Sequence, residues 1–363
     1  MLLERITLKN LLSFQDATLE LRPLNILIGE NTAGKSNLIE AISLLQAAPT
    51  DLRSAILRGG GVRNWVSLRA PSPVAEIRCS VRYDLSDDRT AAYQLEMSES
   101  AGFIVSEAIF NSAGDLALSR VGNAMLDPSG SLLAMHKSFN DPTPTTAIGQ
   151  KFQRIRIYRE FQTGPRSGSR HGTSTSVPGD FLAEGADNLA LVLHGLDFHN
   201  VMQRVMTYVN RFSDRIRGVK VGLDQGVAQT HLSESGLLRN LPAVRMSDGT
   251  LKFLCLMSVL LHPDPPPLIC IDEPEQGLHP DAVRIVADAL REASERSQII
   301  VTTHSEALVD AFSDAPEAVV VCERDAAGGT QFRRLSAEKL ELWLEKYSLG
   351  QLWRNGEIGG TRW

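Results

Sequence analysis

The chain holds 363 residues, 43% hydrophobic and 22% charged, a balance typical of globular proteins that bury a proper core. A net charge of −6 provides no global basic field for nucleic acid, and no segment approaches the roughly 18 apolar residues of a membrane span. The four cysteines (Cys79, Cys255, Cys270, Cys322) form no Cys-x-x-Cys pair, which excludes a zinc hook or ribbon. The N-terminus, with Glu4 and Lys9 early, is no signal peptide, so a reducing cytoplasm is the expected compartment.

Residues 2–9 and 17–21 read as strands, and the apolar run 24–28 as a buried one. Next comes Gly29-Glu30-Asn31-Thr32-Ala33-Gly34-Lys35-Ser36, and from Ser36 a helical pattern runs through Asn37 to 48 until Pro49 stops it. Strand, glycine loop and helix are the context in which Gly-x-x-x-x-Gly-Lys-Ser binds phosphate. Glycines let successive backbone N–H groups turn inward as an anion cradle, and the helix N-terminus adds its positive dipole. Lys35 is placed to reach the β- and γ-phosphates, and the Ser36 hydroxyl to hold Mg²⁺. A nucleoside triphosphate is the expected ligand.

After Pro49 the pattern changes. Residues 52–66 are ambiguous around Gly59-Gly60-Gly61, and β-like runs follow at 74–83, 91–97, 103–110 and 116–121, separated by turn clusters such as Ser86-Asp87-Asp88. They suggest an inserted antiparallel β subregion. Residues 122–150 carry few periodic signals, and Asp141-Pro142-Thr143-Pro144 marks a loop. Residues 155–159 look like a strand, and 162–180, rich in Gly, Ser, Thr and Arg, read as a mobile loop. Two helical patterns (181–196 and 199–217) and two strand-like runs (219–223 and 227–232) lead into an αβ alternation. It comprises helix 249–262, strand 268–272, helix 280–294, strand 298–303, helix 305–312 and strand 317–322, which implies a parallel sheet covered by helices. No heptad seam is long enough for a coiled coil.

Three further motifs carry chemistry. The strand at 268–272 ends in Asp272-Glu273: Asp272 suits Mg²⁺ as a hard oxygen ligand, and Glu273 suits the base or positioner of an attacking water. An Asp-Glu pair alone reads more readily as a solvated strand end; the upstream phosphate loop reverses that preference. The next strand ends in Thr302-Thr303-His304-Ser305, where His304 could contact a γ-phosphate oxygen or that water, because strand C-termini in open α/β sheets converge on the ligand crevice. Ser247-Asp248-Gly249 reads as a helix N-cap, which is also an anion-binding helix terminus whose partner could be a phosphate held by a second copy of the chain.

Together these residues resemble the ATP-binding-cassette ATPase superfamily in its RecF/SMC/OLD-like branch, the AAA-type predicted ATPases of bacterial defence systems. Gly29–Ser36 resembles Walker A, 268–273 Walker B, and Gln276-Gly277-Leu278-His279-Pro280 the D-loop. Thr302–Ser305 resembles the switch-histidine segment, and Ser247-Asp248-Gly249 stands at the family signature. The ending 349–356 resembles one compact subgroup. The resemblance implies an α/β fold, a P-loop NTPase of the ABC-type head with two lobes and an inserted antiparallel β subregion. It assigns residues 1–50 and about 240–325 to the nucleotide core, about 51–240 to the inserted lobe and about 326–363 to a C-terminal helical segment. It also implies ATP and Mg²⁺ as cofactors, and a homodimer in which two heads sandwich two ATPs, Ser247 and Gly249 acting in trans. Asp248 departs from the usual signature glycine and brings a carboxylate toward a polyphosphate. The Q-loop glutamine stays open among Gln150, Gln153 and Gln162.

The leading expectation is therefore a cytoplasmic ATPase, catalytic through Lys35, Glu273 and His304, that controls a partner effector. A separate nuclease in anti-phage defence or DNA repair fits, because the stretch after 325 is too short for the Toprim domain that OLD proteins carry. The alternative is a RecF-like ATPase acting directly on DNA through Arg154, Arg156, Arg159, Arg166 and Arg170, a cluster that otherwise reads as a solvated mobile face.

Overall fold

The computed structural model describes residues 2–69, 72–84, 89–98, 104–123, 131–135 and 143–360. Strands β1 (Leu3–Leu11) and β2 (Phe14–Glu20) form a hairpin, and β3 (Leu24–Gly29) then enters the interior, buried at every residue. Helix α1 (Lys35–Ala47) follows, with α2 (Leu52–Arg58) and α3 (Val62–Trp65) resolving the ambiguous stretch. Strands β4 (Val74–Asp84), β5 (Arg89–Ser98), β6 (Ile104–Phe110) and β7 (Leu116–Asn123) make the expected antiparallel subregion. Among the described residues their sheet has the order β2-β1-β4-β5-β6-β7, so the N-terminal hairpin belongs to it. The Ser86–Asp88 turn and the Asp141-Pro142 start of the predicted loop lie outside the described residues.

Helices α4 (Leu132–Met135) and α5 (Pro144–Gln153) precede the short β8 (Arg156–Tyr158). The stretch read as a mobile loop is instead pinned, containing α6 (Gly168–His171) and β9 (Thr173–Ser174). Helices α7 (Leu189–Phe198) and α8 (Met202–Phe212) are shorter than the periodicity predicts. The Asn188 side chain explains the late start of α7: its amide donates to the Pro178 and Phe181 carbonyls while its oxygen accepts from Ala183 N, holding the preceding segment in loop form. A small antiparallel sheet is built from β10 (Ile216–Asp224), β11 (Val227–Glu234) and β12 (Leu241–Pro242), with β9 on β11.

The αβ alternation then appears as expected: α9 (Asp248–Leu260), β13 (Leu268–Asp272), α10 (Pro280–Ser294), β14 (Gln298–Thr302), α11 (Glu306–Asp310) and β15 (Val319–Arg324). The C-terminal part is not wholly helical. Strand β16 (Thr330–Arg334) pairs antiparallel with β15 before α12 (Ala337–Leu344) and α13 (Leu349–Arg354).

The central sheet runs β16-β15-β3-β14-β13-β8, parallel except for β16. Its strands read as continuous apolar runs because both faces are covered. Period-two alternation divides them between two cores: Ile26, Ile28, Ile269, Ile271, Ile299 and Val301 pack with the helical side, α7 to α11 and α13. Leu27, Leu268, Cys270, Ile300, Val320 and Cys322 pack with α1 and the β1–β6 sheet on the other side. The buried Gln298 side chain ties the layers, accepting from Leu3 N at 2.8 Å and donating to Leu3 O at 2.7 Å. All four cysteines are free, buried thiols. Among the described residues no helix is long and apolar enough to cross a membrane.

Candidate functional site

The glycine loop leaves β3 and caps α1, as its sequence requires. Gly34 sits at φ +99°, and a Cβ there would lie 2.4 Å from Thr330 Oγ1 and 2.6 Å from Ser13 Oγ, so only glycine is tolerated. Gly29 is equally constrained: its Cβ would lie 2.4 Å from the Cys322 carbonyl oxygen. Lys35 is buried and folds over the loop, its Nζ donating to Gly29 O at 2.9 Å and Glu30 O at 3.0 Å. Burial lowers its pKa, with Glu273 and Asp272 among the carboxylates pulling the other way. A buried ammonium bonded only to neutral carbonyls is a good partner for an anion. Glu30, Asn31, Thr32 and Ala33 complete the loop, and Ala33 is buried.

The rear of the loop is braced by residues distant in sequence. Thr330 Oγ1 bonds Ala33 O at 2.8 Å and Ser13 Oγ at 2.7 Å, and Arg324 donates to Thr32 O at 2.8 Å. Asn37, grouped with the nucleotide residues in sequence, directs its amide to Ser13 Oγ at 2.8 Å. Thr330→Val keeps the shape but leaves these oxygens without their hydroxyl partner. It should cost about 1–3 kcal/mol of stability and weaken ATP binding, as read by urea unfolding and by titration with a fluorescent ATP analogue.

The C-terminal ends of β13 and β14 deliver the acidic and histidine residues to the same place. Ser36 Oγ lies 3.5 Å from Asp272 Oδ1, which also accepts from Thr302 Oγ1. These oxygens, hydroxyl and carboxylate, suit a hard cation, and a phosphate-bound Mg²⁺ needs only one or two such protein ligands. Glu273 has φ +47°, unusual for a non-glycine residue, and is held by backbone bonding to Thr302 O at 3.1 Å. Its Oε2 accepts from Gln276 Nε2 at 2.5 Å, and its Oε1 lies 3.7 Å from His304 Nε2. Burial and then Lys35 lower the His304 pKa, so at neutral pH the imidazole is uncharged and able to accept or donate one hydrogen bond.

Glu275 was not singled out in sequence, yet it organises the switch segment. Its Oε1 accepts from Thr303 Oγ1 at 2.7 Å and His304 N at 2.9 Å, and burial raises its pKa. The open glutamine question also narrows. Gln150 and Gln153 lie on α5, before β8, whereas β8 runs parallel beside β13 and Gln162 follows its C-terminal end. The residues between them, Arg159 and Phe161, line a cleft with Lys252, Asp272 and Glu273.

The signature residues form a separate station. Ser247 caps α9, accepting from Thr250 N at 3.1 Å, and both Ser247 and Asp248 are exposed. A Cβ on Gly249 would lie 3.0 Å from Gly277 O, so the signature abuts the D-loop of its own chain. The carboxylate of Asp248 does not stand alone; it pairs with Arg170 at 2.5 Å. Most of the basic cluster proposed for DNA is likewise engaged: Arg154 pairs with Asp264 at 2.7 Å, Arg159 with Glu40 at 2.5 Å, and Arg156 stacks over Phe181 at 4.6 Å, while Arg166 is exposed.

The chain is similar to several known proteins. Residues 154–310 match the family profile "AAA domain, putative AbiEii toxin, Type IV TA system", and residues 1–68 match "AAA ATPase domain". The chain is 41% identical to the Old nuclease of Escherichia phage P2 over 75 residues, which are 20% of this chain and 12% of that protein, so only a small part of the nuclease is represented. It is 20% identical to an ATP/GTP phosphatase of Helicobacter pylori over 351 residues, covering 91% of each chain. The fold is that of an SMC head bound to the C-terminal winged-helix domain of ScpA, with a TM-score of 0.63, 16% identity, and 93% of this chain and 99% of that one covered. A second SMC head, carrying an extended coiled coil and bound to a ScpA domain from Pyrococcus furiosus, aligns with a TM-score of 0.60 at 15% identity over 95% and 98% of the two chains. Both matched profiles are AAA ATPase-type domains, so the protein is an ATPase, and it is similar to the ABC-type ATPases of the RecF/SMC/OLD-like branch.

Proposed function

We propose that two copies of the chain close around two ATP molecules, the signature of each completing the site of the other, and that closure and hydrolysis control a partner effector. The observation that carries this reading is the division of the site. Lys35, Ser36, Asp272, Glu273 and His304 gather at one group of strand ends, whereas Ser247 caps α9 with its hydroxyl exposed and Leu238 stands fully exposed close by in sequence. One copy supplies only part of the charge stabilisation that phosphoryl transfer requires.

In the proposed cycle, the loop N–H groups and Lys35 bind the phosphates, and Ser36 and Asp272 would hold Mg²⁺, which would supply offsetting charge to the phosphates. Glu273 takes a proton from the attacking water, and the neutral His304 orients water or γ-phosphate. Ser247 and Gly249 act on the γ-phosphate of the opposite copy. The ScpA-bound SMC heads support an effector that is a separate protein, and the Old nuclease relative supports a nuclease link, with a nuclease in anti-phage defence or DNA repair as the leading candidate. The pairing of Arg154, Arg159 and Arg170 with acidic side chains weighs against direct DNA recruitment by that cluster.

The test is the dependence of turnover on protein concentration. ATPase activity per copy should rise with concentration until the dimer saturates. A rate per copy that stays flat down to nanomolar protein, with the protein monomeric throughout, contradicts the proposal.

A further inference from the structure

Arg170 is a guanidinium almost removed from solvent, with a side chain only 9% exposed, on the four-residue helix α6. Its donors converge on the loop that carries the signature. Nη1 donates to Met246 O at 2.7 Å and Ala243 O at 3.2 Å, and Nη2 to Asp248 Oδ1 at 2.5 Å. Nε donates to Thr163 O at 2.5 Å, in the segment that leaves β8. That segment is itself fixed: Ser169 Oγ donates to Gln162 O at 2.9 Å, and Gly168 N to Asp187 Oδ1 at 3.1 Å. Only arginine offers a planar set of donors able to satisfy this many oxygens at once, and lysine cannot replace it.

We propose that Arg170 is the positioning residue of the signature: it fixes the orientation of the 243–248 loop and compensates the carboxylate that Asp248 brings toward a partner copy's nucleotide. An uncompensated Asp248 would repel a polyphosphate, whereas paired with Arg170 it becomes a hydrogen-bonded part of the α9 N-terminus. Through Thr163 the guanidinium also links the signature to the stretch following β8, which Ser169 holds at Gln162. The cis cleft begins on that stretch, at Arg159, Glu160 and Phe161. The station that acts on one ATP is thereby tied to the loop beside the other. This inference rests on the reading that the signature acts in trans.

The test uses Arg170→Ala and Arg170→Lys, each alone and mixed with Glu273→Gln, with Ser247→Ala as the reference signature variant. Both Arg170 variants should bind ATP with wild-type affinity, since Lys35 and its loop are untouched, while kcat falls about 100-fold, the scale of a misplaced catalytic group. Mixed dimers should recover activity. The Arg170→Ala copy contributes an intact base and phosphate loop, and the Glu273→Gln copy contributes an intact signature. The mixture of Ser247→Ala with Glu273→Gln should recover in the same way. Recovery with Ser247→Ala but not with Arg170→Ala leaves the trans reading standing and overturns the role of Arg170. Failure of both mixtures overturns the trans reading, and this assignment with it. Wild-type kcat in both Arg170 variants, or a loss confined to ATP affinity, also overturns the assignment.

Discussion

Replacing Lys35 by alanine is expected to abolish ATP binding while leaving the protein folded. The Lys35 ammonium is the buried cation at the centre of the glycine loop, and its present partners are two backbone carbonyls rather than a carboxylate. Each charge-assisted hydrogen bond to phosphate contributes about 1.5–3 kcal/mol, so losing two weakens binding by roughly two to four orders of magnitude. The sign for the unliganded protein is the reverse. Burial lowers the Lys35 pKa, so at neutral pH the folded state holds this proton less firmly than the unfolded chain does. Removing the charge should therefore leave the melting temperature without ATP unchanged or slightly raised. Thermal unfolding separates the two effects. Wild-type protein at an ATP concentration of about 100 times Kd should gain about 2.7 kcal/mol, and Lys35→Ala should gain no more than about 0.4 kcal/mol at the same concentration. A full ATP-induced shift in the variant would show that the nucleotide binds elsewhere.

Replacing Glu273 by glutamine should produce the other large effect, a loss of about 100- to 10,000-fold in turnover, the range expected for a general base, with ATP still bound. Glutamine is nearly isosteric, so the left-handed backbone at this position and the bond from Gln276 can both persist, while the group that accepts the proton is gone. His304 does not supply a substitute readily, because its lowered pKa makes it a weaker base than an ordinary histidine. Hydrolysis by Glu273→Gln at the wild-type rate would assign the base to another residue, and Glu275, buried with a raised pKa nearby, would be the first to test.

Much of the central sheet was legible because its strands are buried on both faces and read as uninterrupted apolar runs. β13 matches its predicted bounds, and β14 and α10 match within a residue. The residues after those strands were legible for the same reason: a parallel sheet delivers its strand C-termini to one crevice, which brings Asp272, Glu273 and His304 toward Ser36. The bracing of the glycine loop was not legible. Ser13 and Thr330 are 317 positions apart, and a lone Ser or Thr carries no periodic signal of a tertiary partner. The Gly/Ser-rich stretch at 162–180 was misread as mobile because its composition matches that of a linker, while its order comes from side-chain bonds to distant oxygens, those of Arg170 above all. Asp248 looked like an obstacle in a signature motif for the same reason, since its partner lies 78 residues upstream.

The central claim is that ATP is shared between two copies, and the mass of Glu273→Gln in solution tests it most directly. Sedimentation velocity with and without Mg-ATP, at a protein concentration where the unliganded form is monomeric, should show the 39.7 kDa chain shifting to a dimer that holds two ATPs. The same protein carrying Lys35→Ala as well should remain a monomer. A Glu273→Gln protein that binds ATP stoichiometrically yet sediments as a monomer at every concentration tested would contradict the account.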